Sequence, residues 1–187
     1  MICMLGRIGA FLLDIFQVVI FAGAIFLVLY LLVMQPHKIK GASMESNFHD
    51  GEYLLTDKIS YRFREPNRGE VIIFKAPGAN GDDFIKRIIG IPGEKVSIHD
   101  SKIYINGLVL NEIYIPQSVP TNGGVFLSEG KELEVPAGEY FVLGDNRNHS
   151  ADSRTFGFIQ KSSIIGKAWF LYWPLPNLGL IPVPRYQ

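Results

Sequence analysis

Ser43 sits in Gly41-Ala42-Ser43-Met44, and Lys86 sits inside the apolar run Phe84-Ile85-Lys86-Arg87-Ile88-Ile89. A serine alcohol becomes a nucleophile when a neighbouring base takes its proton. Lysine can be that base where burial disfavours the ammonium form and pulls its pKa down from ~10.4. Arginine cannot, because it stays protonated. Side chains alternate along a strand, so Phe84, Lys86 and Ile88 share one face while Ile85, Arg87 and Ile89 share the other. Each basic residue therefore has apolar company, and at least one of the two faces should be buried. Taken singly, a serine in a glycine-bearing loop reads as a turn residue, and a strand lysine as one that snorkels to water. A third feature is the polar stretch Gly144-Asp145-Asn146-Arg147-Asn148-His149-Ser150-Ala151-Asp152-Ser153-Arg154. Its Asp and Arg residues can pair, and its Ser and Asn side chains can satisfy backbone groups. It is either a structured surface loop or the support of a site.

The elements that must position these residues begin with an apolar segment. Residues 15–34 carry no charge, and Gln17 is their one strongly polar side chain. Twenty helical residues at ~1.5 Å each span roughly the 30 Å of a hydrocarbon core. Gln35-Pro36 should end the helix, because the residue before proline is pushed out of the α region. A cleavable leader is the competing reading, but its apolar part runs to ~7–15 residues with a small-x-small site behind it. Here the run is longer and Gln35-Pro36-His37-Lys38-Ile39-Lys40 follows it, which favours an uncleaved anchor over residues 1–36. Arg7 before the span and Lys38 and Lys40 after it leave the positive-inside count undecided, although large domains translocate largely regardless of charge. Asp14 is placed at the membrane edge. Ser43 comes nine residues after Met34, a reach of at most ~30 Å, so it belongs near the membrane surface.

Residues 37–187 form the other part. The first 34 residues hold only Arg7 and Asp14, so 17 basic and 17 acidic residues fall in the rest, a composition normal for a folded domain. The zero net charge and lack of a basic run argue against nucleic-acid binding. One cysteine, Cys3, excludes an intramolecular disulfide, and His37, His49, His99 and His149 lack ligand spacing. No metal or cofactor is expected. Short apolar or alternating runs at residues 52–55, 71–74, 84–89, 133–135 and 140–143, separated by Gly, Pro and Asn, predict strands. Residues 95–110 predict a hairpin turning at His99-Asp100-Ser101-Lys102, with a further turn at Asn106-Gly107. Residues 116–130 look like a loop, with an exposed hairpin or flap as the expected use. Residues 95–140 would be a small insertion in the domain. The aromatic tail 168–175 reads mainly as a core strand, with Trp173 and the segment behind it as candidates for contact with the lipid interface.

These features, in this order and behind one span, resemble bacterial type I signal peptidase across most of residues 35–187. Ser43-Met44 resembles the Ser-Met nucleophile motif, Arg68-Gly69-Glu70-Val71-Ile72-Ile73-Phe74-Lys75 the strand segment before the base, and Phe84 through Glu94 the lysine box. Gly144-Asp145-Asn146-Arg147 with Ser150, Asp152, Ser153 and Arg154 resembles the last box. The resemblance implies a mostly β domain of coiled antiparallel sheets behind one N-terminal transmembrane helix, held on the extracytoplasmic side of the cytoplasmic membrane. It implies a serine endopeptidase that removes N-terminal signal peptides from exported preproteins carrying small residues at −1 and −3. Ser43 would be the nucleophile and Lys86 the general base. Ser150 would hydrogen-bond the lysine amine, Asp152 and Arg154 would form a supporting ion pair, and Asp145 would help hold the loop. Gly41, Met44, Phe84 and Ile85 would line the oxyanion site and substrate cleft. Oligomeric state is not implied.

Three departures from the family pattern stand out. Ser43-Met44-Glu45-Ser46-Asn47 replaces Ser-Met-x-Pro-Thr, Gly41 stands where some members carry serine, and His149 stands where asparagine is usual. The oxyanion would then rely on the Ser43 N–H. The first departure leaves open a membrane-anchored β-domain that has lost catalysis and binds partners. A self-cleaving Ser/Lys protease of the repressor type shares the dyad, but pairs it with a DNA-binding domain instead of an anchor. Lysine at position 86 argues against the endoplasmic-reticulum type, which carries histidine there.

Overall fold

A computed structural model describes residues 2–78, 81–184 and 186. The uninterrupted apolar N-terminus forms α1 (Ile2–Val33), which begins well before the span expected from charge alone. Its most apolar stretch, Phe11–Val28, has a mean hydropathy of 2.5 and none of it is buried by the rest of the chain. The helix stops one residue earlier than the apolar run. Met34 already belongs to β1 (Met34–Lys38), where it pairs with Asp57. Pro36 is tolerated there because β1 is the edge of its sheet and has a partner on one side only.

The remaining elements of the main sheet are β2 (Tyr53–Asp57), a short α2 (Ser60–Phe63), β3 (Val71–Lys75) and β4 (Asp83–Gly90). A second sheet follows, from β5 (Lys95–His99), β6 (Lys102–Ile105), β7 (Leu108–Val109) and β8 (Glu132–Glu134), in the order β7-β6-β5-β8. Its two hairpin turns fall where expected. Asp100 and Ser101 have φ of 51° and 59°, and Asn106 and Gly107 have 52° and 78°, the left-handed pairs that suit the twist of two-residue hairpins. The chain then returns through β9 (Glu139–Leu143), α3 (Ser153–Phe156), β10 (Ile159–Gln160), the long β11 (Ile164–Trp173) and β12 (Gly179–Leu180). The main sheet runs β1-β2-β11-β3-β4-β9-β10, with β12 on β11, and all its pairings are antiparallel.

β4 is central. It pairs with β3 from Asp83 to Arg87 and with β9 from Arg87 to Gly90. Both of its faces are buried from Ile85 onward, so neither basic residue reaches bulk water. Ile85 packs with Met44, Phe48 and Leu171, Ile88 with Ile72 and Val142, and Ile89 with Phe141 and the inner residues of the second sheet.

Residues 116–130 depart from the expected flap. They form no strand, and they are fastened at Thr121 and Leu127, both fully buried, while Val125 stays exposed. The backbone N–H groups of Phe126 and Leu127 donate to Arg154 O, which ties this crossing to the polar loop.

Candidate active site

The turn that carries Ser43 is built from a buried knob and a glycine bend. Met44, 1% exposed, is sunk into the core beside Phe48 and Ile39, so the residue before it is raised to the surface of the sheet. Gly41 adopts φ +84°, a conformation that disfavours any side chain, and its N–H donates to Asp50 Oδ1 at 2.7 Å. Across from this turn, Lys86 projects from β4 toward Ser43.

Lys86 Nζ lies 2.7 Å from Ser43 Oγ and 2.9 Å from the Ile85 carbonyl oxygen. The lysine is 3% exposed, and its amine stands 5.3 Å from the centre of the Phe84 ring. Burial pulls its pKa down to about 8, against the opposing pull of the Asp152 and Asp145 carboxylates. A cleft of about 730 Å³ opens onto the pair, lined among others by Gly41, Ser43, Phe84, Ile85, Lys86 and His149. His149 is exposed there and makes no hydrogen bond to Ser43 among the described residues.

Behind the pair lies the polar loop. Asp152 Oδ1 and Oδ2 accept from Arg154 Nε and Nη2, both at 2.8 Å, and Asp152 Oδ2 also accepts the Gly144 N–H at 3.1 Å. Arg154 donates onward to Arg147 O at 2.7 Å. Gly144 is required for proximity: a Cβ there would collide with the Ser43 carbonyl oxygen and the Ser150 side chain. Asp145 does more than hold its own loop. It accepts two bonds from Arg87, at 2.9 and 2.6 Å, and a third from Asn47 Nδ2 at 2.8 Å. One buried carboxylate therefore links the strand of the lysine to the turn of the serine.

Ser150 corrects an expectation. Its Oγ is buried close to Gly144 and has no hydrogen-bond partner among the described residues, so it does not bond the lysine amine. The amine is instead oriented by Ser43 and the Ile85 carbonyl.

Four residues of the site escaped the sequence reading. Arg87 faces away from the cleft, with its guanidinium 4.2 Å from the centre of the Tyr114 ring. Arg147 is buried and paired with Glu112 and Thr121. Asn47 replaces the usual threonine with two amide donors, one to Asp145 and one to Tyr114 O at 2.8 Å. Asn146 donates from its backbone N–H to Ser43 O at 3.1 Å and from Nδ2 to Ala42 O at 3.0 Å. For Arg147, Asn47 and Asn146 a place in a polar stretch was the one available signal, Arg87 stood out as a charge in an apolar run, and each partner is remote in sequence.

Comparison with known proteins identifies the family. The family described as "Signal peptidase, peptidase S26" matches residues 12–173. The "Probable signal peptidase I-2" of Synechocystis sp. is 38% identical over 154 residues, covering 80% of this chain and 67% of that protein. The "Signal peptidase IB" of Staphylococcus aureus (strain COL) is 33% identical over 175 residues, 86% of this chain and 91% of that one. A crystal structure of a signal peptidase I from Enterococcus faecalis V583 is 37% identical, covers 56% of this chain and 97% of that one, and has a TM-score of 0.46. A match spanning most of the chain, with relatives above 30% identity matched over about two thirds or more of their length, places this protein in the signal peptidase family, peptidase S26.

Proposed function

We propose that this protein removes N-terminal signal peptides from exported proteins by a Ser/Lys acyl-enzyme mechanism at the membrane surface. The observation that carries the reading is the 2.7 Å approach of a buried, readily neutralised Lys86 amine to Ser43 Oγ. The neutral amine takes the Ser43 proton as Oγ attacks the scissile carbonyl carbon. The resulting ammonium then gives a proton to the leaving amine, and the peptide C–N bond breaks. Lys86, neutral again, takes a proton from water, whose oxygen attacks the acyl carbon and releases Ser43. No histidine or metal is needed in any step.

An extended substrate suits the cleft. Asp83 to Lys86 have a strand partner on the β3 side only, and β1 has a partner on the β2 side only. Their free backbone edges offer hydrogen bonds to an extended peptide held between them. Small residues at −1 and −3 remain the expected preference. The anchor reading rests on α1, whose Tyr30 comes near Tyr172 at the end of the sheet. On this reading the exposed Trp173, Leu175, Leu178 and Leu180 would lie at the level where the helix leaves the lipid.

The test is cleavage of a Sec-type preprotein by the detergent-solubilised full chain. The parent is expected to cut after a small residue, with Ser43→Ala and Lys86→Ala each reducing cleavage by at least a thousandfold. A folded parent that cuts nothing between about pH 7 and 10, a range that spans the deprotonation of a buried lysine, would instead support a binding module.

A further inference from the structure

The peptide between Ala42 and Ser43 carries the backbone N–H of the residue read as the nucleophile. Its carbonyl oxygen accepts twice, from the Glu45 N–H at 3.2 Å and from Asn146 Nδ2 at 3.0 Å. The next carbonyl, of Ser43, accepts from the Asn146 backbone N–H at 3.1 Å. The two hydrogen bonds from Asn146 thus grip consecutive peptides on either side of the nucleophile's Cα. In a trans peptide the N–H points opposite to the C=O. Holding Ala42 O toward the polar loop therefore turns the Ser43 N–H away from that loop. Among the described residues this N–H donates to no acceptor. Gly41 supplies no side-chain hydroxyl to share its work. Resting on the reading of Ser43 as nucleophile, we propose that Asn146 is the positioning residue of the oxyanion site: its side-chain amide fixes the Ala42–Ser43 peptide so that the Ser43 N–H meets the developing oxyanion.

A fixed N–H counts only when negative charge develops on the carbonyl oxygen, so its loss should appear in kcat with little change in KM. Asn146 makes no hydrogen bond to Lys86, so the pH at which activity is half-maximal should not move. Asn146→Asp keeps the size but replaces the donor with an acceptor that repels Ala42 O. Asn146→Ala removes the group altogether.

The experiment measures kcat, KM and the pH profile of both variants in the detergent-solubilised full chain. Alongside these it measures inhibition by a peptide aldehyde ending in alanine, whose hemiacetal with Ser43 Oγ carries the oxyanion, and binding of the matching peptide amide. The expected result is a loss of at least tenfold in kcat, an equal weakening of aldehyde inhibition, and amide binding and half-maximal pH unchanged. Should Asn146→Ala fail to fold, Asn146→Asp carries the comparison. The proposal is overturned if kcat stays within twofold, or if aldehyde and amide weaken together. Ser43→Ala runs beside them: full activity there would remove the nucleophile reading itself, whereas an inactive Ser43→Ala beside a fully active Asn146→Asp would remove only the role given to Asn146.

Discussion

At the scale of single residues, the proposed chemistry depends on a lysine kept mostly out of water. With its pKa brought to about 8 by burial, Lys86 is largely ammonium at pH 7 and largely neutral at pH 9. The base is active only when neutral, so kcat/KM should rise with pH through about 8 and level off above it. Initial rates from pH 6 to 10 would check this, and a profile that falls over that range would remove Lys86 as the base. Lys86→Arg should be inactive at every pH, because a guanidinium does not deprotonate. Lys86→Met should be inactive yet at least as stable as the parent, since it removes the cost of burying an ammonium in a well-packed site. Thermal melting of the two proteins at pH 7 would show it.

At the scale of elements, the Asp145 carboxylate is the joint between β4 and the nucleophile turn. Arg87 and Asp145 are 3% and 0% exposed in their side chains, so breaking one partner strands a buried charge. Replacing Arg87 by Met should cost about 3–5 kcal/mol of stability, readable from denaturant unfolding. Asp145→Asn should cost less, because an amide of the same shape keeps one acceptor for Arg87. What could be read beforehand followed from local rules. The strand of Lys86 was legible from its alternation, and the hairpin of the second sheet from Asp100-Ser101 and Asn106-Gly107, whose turn chemistry is local. The ion pair of Asp152 and Arg154 was expected from the family resemblance, and its partners are two residues apart. Asp145 with Arg87 and Asn146 with Ala42 were not legible, because their partners lie 58 and 104 positions away. Ser150 failed for a related reason: a serine's place in a motif says nothing of which way its hydroxyl will face once Gly144 brings two segments into contact.

At the scale of the whole molecule, α1 is an apolar helix that the rest of the chain leaves unburied, and β11, β12 and the turn between them carry further exposed apolar residues. Trp173 is 52% exposed and Leu175 66% exposed, positions where aromatic and aliphatic groups favour a membrane interface. Trp173→Ala in a chain lacking α1 should bind liposomes more weakly than its matched parent, and a co-sedimentation assay would measure this. Equal binding would remove the lipid role of Trp173.

Lys86 and Arg87 are neighbours on β4, yet one faces the cleft and the other the Asp145 joint. A slip of β4 by one residue would put Arg87 in the place of Lys86 in one direction, or Lys86 in the place of Arg87 in the other, because strand register fixes which side chain meets which face. In the first case the guanidinium set against Ser43 could accept no proton; in the second Ile85 would face Ser43, and the amine set against Asp145 could not make the two-pronged contact. A single-residue insertion or deletion early in this strand is therefore a chemical change as much as a structural one. Such a frame error would turn the catalyst into an inert receptor even if every apolar contact found a substitute.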